Sequence, residues 1–197
     1  TRILLFSLYV LYLSLLSISG VFMSFQWDIL LIETSFLAIF LVPSGLKPVW
    51  PRSEAPPQKI TILLMWMLLF KFMFLSGAVK LLSGDPNWRN LSALSYHYET
   101  QPLPTVLAWY AYQLPQWFHK LSVANMFSIE LIVPFFIFLW RPFRIFASFS
   151  IIALQALIGV TGNYTFFNLL TIALALLLLD DKIFSRLIPR RFHQLLL

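Results

Sequence analysis

Several side chains in this 197-residue sequence could do chemistry, and most of them sit where chemistry is costly. Glu33, Lys71, Lys80, Glu130, Gln155 and Asn168 each interrupt a long apolar run, and His97 and Glu99 lie in an aromatic-rich stretch between two such runs. An ionisable group inside a bilayer costs about 2.5–3.5 kcal/mol even on lenient scales, so each is a candidate functional residue. Counting helical rise from the ends of the runs puts Glu33, Lys80, Gln155 and Asn168 about 4–9 Å below one membrane face, on four different runs. With His97 and Glu99 folded over them, the six form one predicted polar cluster. It is either a small polar cavity or interhelical hydrogen-bond glue. Lys71 and Glu130 fall deeper, at about 17 and 18 Å. Matched in depth and opposite in charge, they are predicted to form a buried ion pair.

Other chemistry is missing. There is no cysteine, which removes disulfides and thiolate nucleophiles. His97, His119 and His193 are far apart, so no metal spacing is present, and neither a phosphate-cradling glycine loop nor a nucleophile elbow occurs. No catalytic residue, metal or cofactor is predicted from the motifs. The net charge is +6, but the basic residues are scattered between apolar runs rather than blocked together, which argues against nucleic acid.

The elements that must position these residues follow from composition. Hydrophobic residues make up 59% and charged residues 11%, against about 25% charge in a soluble domain. Mean hydropathy is +0.80. So few charges cannot cover a water-facing surface, and 20 Phe, 7 Trp and 7 Tyr are the opposite of a disordered composition. Runs near 3–25, 28–42, 60–82, 118–139, 143–161 and 164–180 approach the roughly 20 residues that cross a bilayer. None shows the alternation of a barrel strand, so all should be helices. The expected fold is an all-α, polytopic transmembrane bundle of about six spans over residues 1–181. A cytoplasmic amphipathic tail at 182–197 follows it.

Six spans place ten of the 14 basic residues on the side of Thr1, only Arg89 and Lys120 on the other, and Lys71 and Lys80 within a run. By the positive-inside rule both termini are cytoplasmic. The connection 83–117 then lies on the far side. Its Trp and Tyr residues suit the membrane interface. Short interfacial helices are expected near 87–97 and 104–113, broken by Pro102, Pro104 and Pro115.

Three stretches carry a resemblance: Phe25-Gln26-Trp27-Asp28 running to Glu33, Ser76-Gly77-Ala78-Val79-Lys80 through Asp85-Pro86-Asn87-Trp88 to Tyr96-His97-Tyr98-Glu99-Thr100-Gln101-Pro102, and Gly162-Asn163-Tyr164-Thr165-Phe166-Phe167-Asn168. The sequence resembles the lipase maturation factor family over roughly residues 20–181. Asp85-Pro86 looks more like its bacterial members. The resemblance implies a membrane scaffold or a folding and assembly factor, with the lipid bilayer and a secreted client protein or other membrane subunits as partners. It allows either a bacterial inner membrane, which Asp85-Pro86 favours, or the endoplasmic reticulum membrane. Family members continue into a large C-terminal region, so a truncated member, a fragment or an accessory subunit of a larger complex is also expected. The Gly77–Leu81 segment is distantly similar to the membrane region of vitamin K-dependent carboxylase-like proteins, which makes Lys80 an alternative catalytic base.

Overall fold

The computed structural model describes residues 2–23, 25–42, 56–101, 103–162, 164 and 166–187. Among the described residues every regular element is a helix and there are no strands. The helices are α1 (Arg2–Ser19), α2 (Gln26–Leu41), α3 (Lys59–Leu82), α4 (Pro86–Arg89), α5 (Ala93–Thr100), α6 (Val106–Tyr112), α7 (Gln116–Phe127), α8 (Arg141–Thr161), α9 (Phe166–Leu176) and α10 (Asp181–Leu187). A 3-10 turn, Gly20–Met23, follows α1. Residues 43–55, between the second and third apolar runs, lie outside the described residues, as does the tail beyond Leu187.

Four helical stretches are long and apolar enough to cross a membrane: Arg2–Ser19, Lys59–Leu82, Gln116–Phe138 and Arg141–Thr161. The runs at 28–42 and 164–180 form shorter helices, of 16 and 11 residues. The last is shorter than its run because the chain leaves the α-helix in a turn at Leu177 and Leu178.

The chain divides into two compact units, 1–68 with 179–197, and 69–178. In the first unit α1 and α2 form an antiparallel hairpin. Arg2 donates through Nε and an Nη to the carbonyl of Val42, at 3.2 and 2.9 Å. A cation at a helix C-terminus satisfies an orphan carbonyl and complements the dipole. Tyr9 meets Phe36, with ring centroids 5.7 Å apart. The Tyr12 hydroxyl donates to Asp28 in the first turn of α2 at 2.8 Å. No residue of α1 is buried, so its apolar surface suits a lipid solvent.

In the second unit α8 and α9 are antiparallel, and polar side chains mark their register. Arg144 donates to the Leu178 carbonyl (3.1 Å), Ser148 to the Ala175 carbonyl (2.8 Å), and Asn168 to the Gln155 side chain (2.7 Å). Between these rungs Ala147, Ile151, Leu174 and Ala175 are fully or nearly fully buried.

The helix that starts as α7 does not stay regular. Ser128–Ile132 is a π-helical turn and Val133–Phe138 a 3-10 segment. Pro134 gives the physical reason. A proline inside a helix has no N–H to donate and its ring meets the carbonyl four residues back, here that of Glu130. The backbone widens instead, and the Val133 N–H reaches back five residues to Ser128.

Candidate functional site

Glu130 sits on that π turn and is 4% exposed. Both of its carboxylate oxygens accept from the Lys80 ammonium at 2.6 Å. The Lys80 side chain keeps 24% of its exposure, and its Nζ lies 5.7 Å from the centroid of the Trp88 ring. Trp88 in turn packs edge-on against Phe127, 6.1 Å between centroids. Three elements thus meet at one charge pair: α3 through Lys80, the π turn through Glu130, and α4 through Trp88.

Local sequence explains the convergence. Gly84 follows the end of α3 with φ +78°, a left-handed conformation suited to glycine. Asp85 caps α4, accepting from the Asn87 N–H at 2.9 Å, and Pro86 opens that helix. Ser-Gly-Asp-Pro therefore reverses the chain and lays Trp88 over the lysine it has just passed. A close helix contact completes the site. A Cβ on Gly77 would lie 2.8 Å from Leu131 and 3.0 Å from the Glu130 Cβ, so only glycine lets the two backbones come this near.

The predicted Lys71–Glu130 pair is corrected by this geometry. Glu130 is held by Lys80, about two and a half helical turns beyond Lys71 on α3. The depth count assumed that both runs begin and end at the membrane face. The contacts show otherwise: Gly77 lies against Glu130 and Leu131, Phe74 against Phe135, and Phe70 against Phe135 and Phe138. In this antiparallel register α3 ends near the level of Met126. That is roughly ten residues, or about 15 Å, short of the start of α7.

Helices α4 to α6 fill that step and close over the end of α8. Gln101 donates to the Thr161 carbonyl at 3.2 Å and Thr105 to the Val160 carbonyl at 2.8 Å, satisfying orphan carbonyls of α8. Thr105 also caps α6 by accepting from the Ala108 N–H. His97 and Tyr164 share a hydrogen bond of 3.2 Å with their rings parallel. Burial holds the His97 pKa below its usual 6.5, so the imidazole is neutral at pH 7. Tyr98 packs against His119, and burial raises its phenol pKa. The Tyr112 hydroxyl donates to Glu99.

Five of the six residues of the predicted cluster have the following partners. Lys80 goes to Glu130, Gln155 and Asn168 to each other, His97 to Tyr164, and Glu99 to Tyr112. Lys80 meets Glu130, and Glu33 lies on α2. From the sequence, Trp88 suits the membrane interface, and Gly77 enters only through the stretches that carry the resemblance; neither is expected at an ion pair. The signals for both were present: the Gly-Asp-Pro turn before Trp88, and a proline four residues after Glu130. Among the described residues no group of three acidic or histidine side chains could hold a metal ion. What the arrangement can do is mechanical. It locks a turn and its aromatic cap to two apolar helices through one largely buried ion pair.

The family model of the lipase maturation factor transmembrane domain matches residues 1–186. The chain belongs to the lipase maturation factor family. It is 49% identical to chicken (Gallus gallus) lipase maturation factor 2 over 92% of its length, and 48% identical to the human (Homo sapiens) protein over 89%. It is 37% identical to mouse (Mus musculus) lipase maturation factor 1 over 95%. The match covers 26%, 26% and 32% of those relatives, so the chain spans about a quarter to a third of their length. No solved structure matches. Family membership and the apolar helices together make this a multi-pass membrane protein.

Proposed function

We propose that this chain is the membrane core of a factor that matures a secreted lipase, with α4 to α6 presented to the compartment where the client folds. The observation that carries the reading is the way those helices are fixed. Gln101, Thr105 and the Trp88–Lys80–Glu130 junction tie them to the apolar helices, which suits a platform rather than a mobile linker. The endoplasmic reticulum membrane, with both termini cytoplasmic, is the proposed setting. The vertebrate relatives support it over the bacterial membrane that Asp85-Pro86 favoured. Lys80 as a catalytic base loses support, because its ammonium is engaged by both oxygens of a carboxylate.

The test is a lipase secretion assay. The full-length protein, expressed in cells lacking their own lipase maturation factors, should restore activity to a co-expressed secreted lipase. Failure of the wild type to do so, with normal expression and membrane insertion, would refute the maturation role. The orientation makes a separate prediction. A cysteine at position 52 should react as soon as the plasma membrane is permeabilised, and one at Ser95 only after the reticulum membrane is opened as well. Identical access at the two positions removes the six-span arrangement.

A further inference from the structure

Helix α6, Val-Leu-Ala-Trp-Tyr-Ala-Tyr, carries no charge. Only Ala108 on it is buried, at 1% exposure, while Val106 keeps 75%, Trp109 61% and Tyr110 62%. In water this would be a poor surface. In sequence it is followed, with the exposed Gln113, Gln116 and Lys120 interspersed, by the exposed Leu114 and by Trp117, Phe118 and Leu121 of α7. Those residues belong to Gln116–Phe138, one of the stretches apolar enough to cross a membrane.

We propose that α6 and the first turns of α7 form a single lipid-facing anchor, seated at the headgroup–acyl boundary of the leaflet on the α4–α6 side. Two observations select lipid over a protein partner. The first is tether length. Thr105 is bonded to the last turn of α8, and only three residues separate Tyr112 from α7, so α6 is held where two candidate spans end. The second is continuity of surface. The outward side chains of α7 face acyl chains if that helix spans, and α6 extends the same apolar surface with no Asp, Glu, Lys or Arg from Val106 to Phe118. The residue types agree. Trp and Tyr place an apolar ring in the boundary with a polar tip toward water, and exposed Lys120 can reach a lipid phosphate. Helix α5 differs. It carries His97, Tyr98 and Glu99, which bond or pack within the protein. Of the two predicted interfacial helices, α6 is the one assigned to lipid. This inference does not depend on the lipase-maturation reading.

The experiment uses the full-length protein, with any cysteines outside these residues replaced by serine, reconstituted into phosphatidylcholine vesicles. A single cysteine at Val106, or in a second protein at Tyr110, carries an environment-sensitive NBD fluorophore. Replacing the lipid with one brominated in the upper acyl chain should cut its emission about twofold, as for a probe ~5–10 Å into the boundary. A probe at Thr100 on α5 should keep its emission. Water-like emission at Val106 and Tyr110 that bromine leaves unchanged would overturn the proposal. So would equal quenching at Thr100, or shielding that appears only when a lipase client or a second copy is added.

Discussion

Lys80→Met is expected to destabilise the reconstituted protein by about 3–5 kcal/mol, because it leaves a buried carboxylate without a counter-charge. Glu130 is almost wholly enclosed and both of its carboxylate oxygens accept from Lys80. The change also removes the cation beneath Trp88, a contribution of about 0.5–1 kcal/mol. Lys80→Met combined with Glu130→Leu should recover most of the loss, since an apolar pair of similar volume is often neutral in a dry site. Glu130→Leu alone should cost less than Lys80→Met, because the lysine retains part of its exposure and its long stem can carry the ammonium toward water. Denaturant unfolding of the four proteins in lipid nanodiscs gives the comparison. A double variant no more stable than Lys80→Met would mean that the pair does not act as a unit. If the platform reading holds, lipase activity in the secretion assay should follow the same order as stability.

The sequence made the helices legible but not their register. Long apolar runs announce themselves through composition, and the described parts of those runs are helical. The turn at Ser83–Pro86 was equally readable, since glycine, aspartate and proline each have one mechanism there. Pairing was a different matter. Depth counted from the edge of a run presumes that the edge marks the membrane face, yet α3 stops well short of the level where α7 begins. Hydropathy says nothing about that offset, because lipid-facing and helix-facing positions are both apolar. What fixes it is close packing at Gly77 and the widened turn before Pro134, which are tertiary facts with faint local signatures. The Glu99–Tyr112 and His97–Tyr164 bonds were hidden for a similar reason. They join segments 13 and 67 residues apart whose meeting depends on how α5 and α6 dock on α8. By contrast Gln155 and Asn168 were placed at matching depth and do meet, because a short connection between antiparallel helices leaves little freedom in register.

Two glycine substitutions should move stability in opposite directions and so test the register itself. Gly77→Ala inserts a Cβ 2.8 Å from both Cγ and Cδ2 of Leu131 and 3.0 Å from the Cβ of Glu130. The end of a leucine can swing aside. The Leu131 Cγ moves only with a change of its χ1 rotamer, and the Glu130 Cβ cannot move, because it is fixed to the backbone of the π turn. The two helices must therefore separate. Overpacking of this kind costs about 1–3 kcal/mol, which outweighs the roughly 1 kcal/mol that alanine gains over glycine in a helix. Separation also stretches the Lys80–Glu130 bonds three residues away, so the loss should exceed that of a simple clash. Gly159→Ala in α8 meets Asn168 only at 3.7 Å, an ordinary contact. There the propensity gain is unopposed, and stability should rise by about 0.5–1 kcal/mol. Combining Gly77→Ala with Lys80→Met should cost less than the sum of the two, because both act on one junction. Additive losses would show that the close approach and the ion pair are independent. A stabilising Gly77→Ala would show that α3 does not lie against Glu130 and Leu131 at all, and the level assigned to the pair would fall with it.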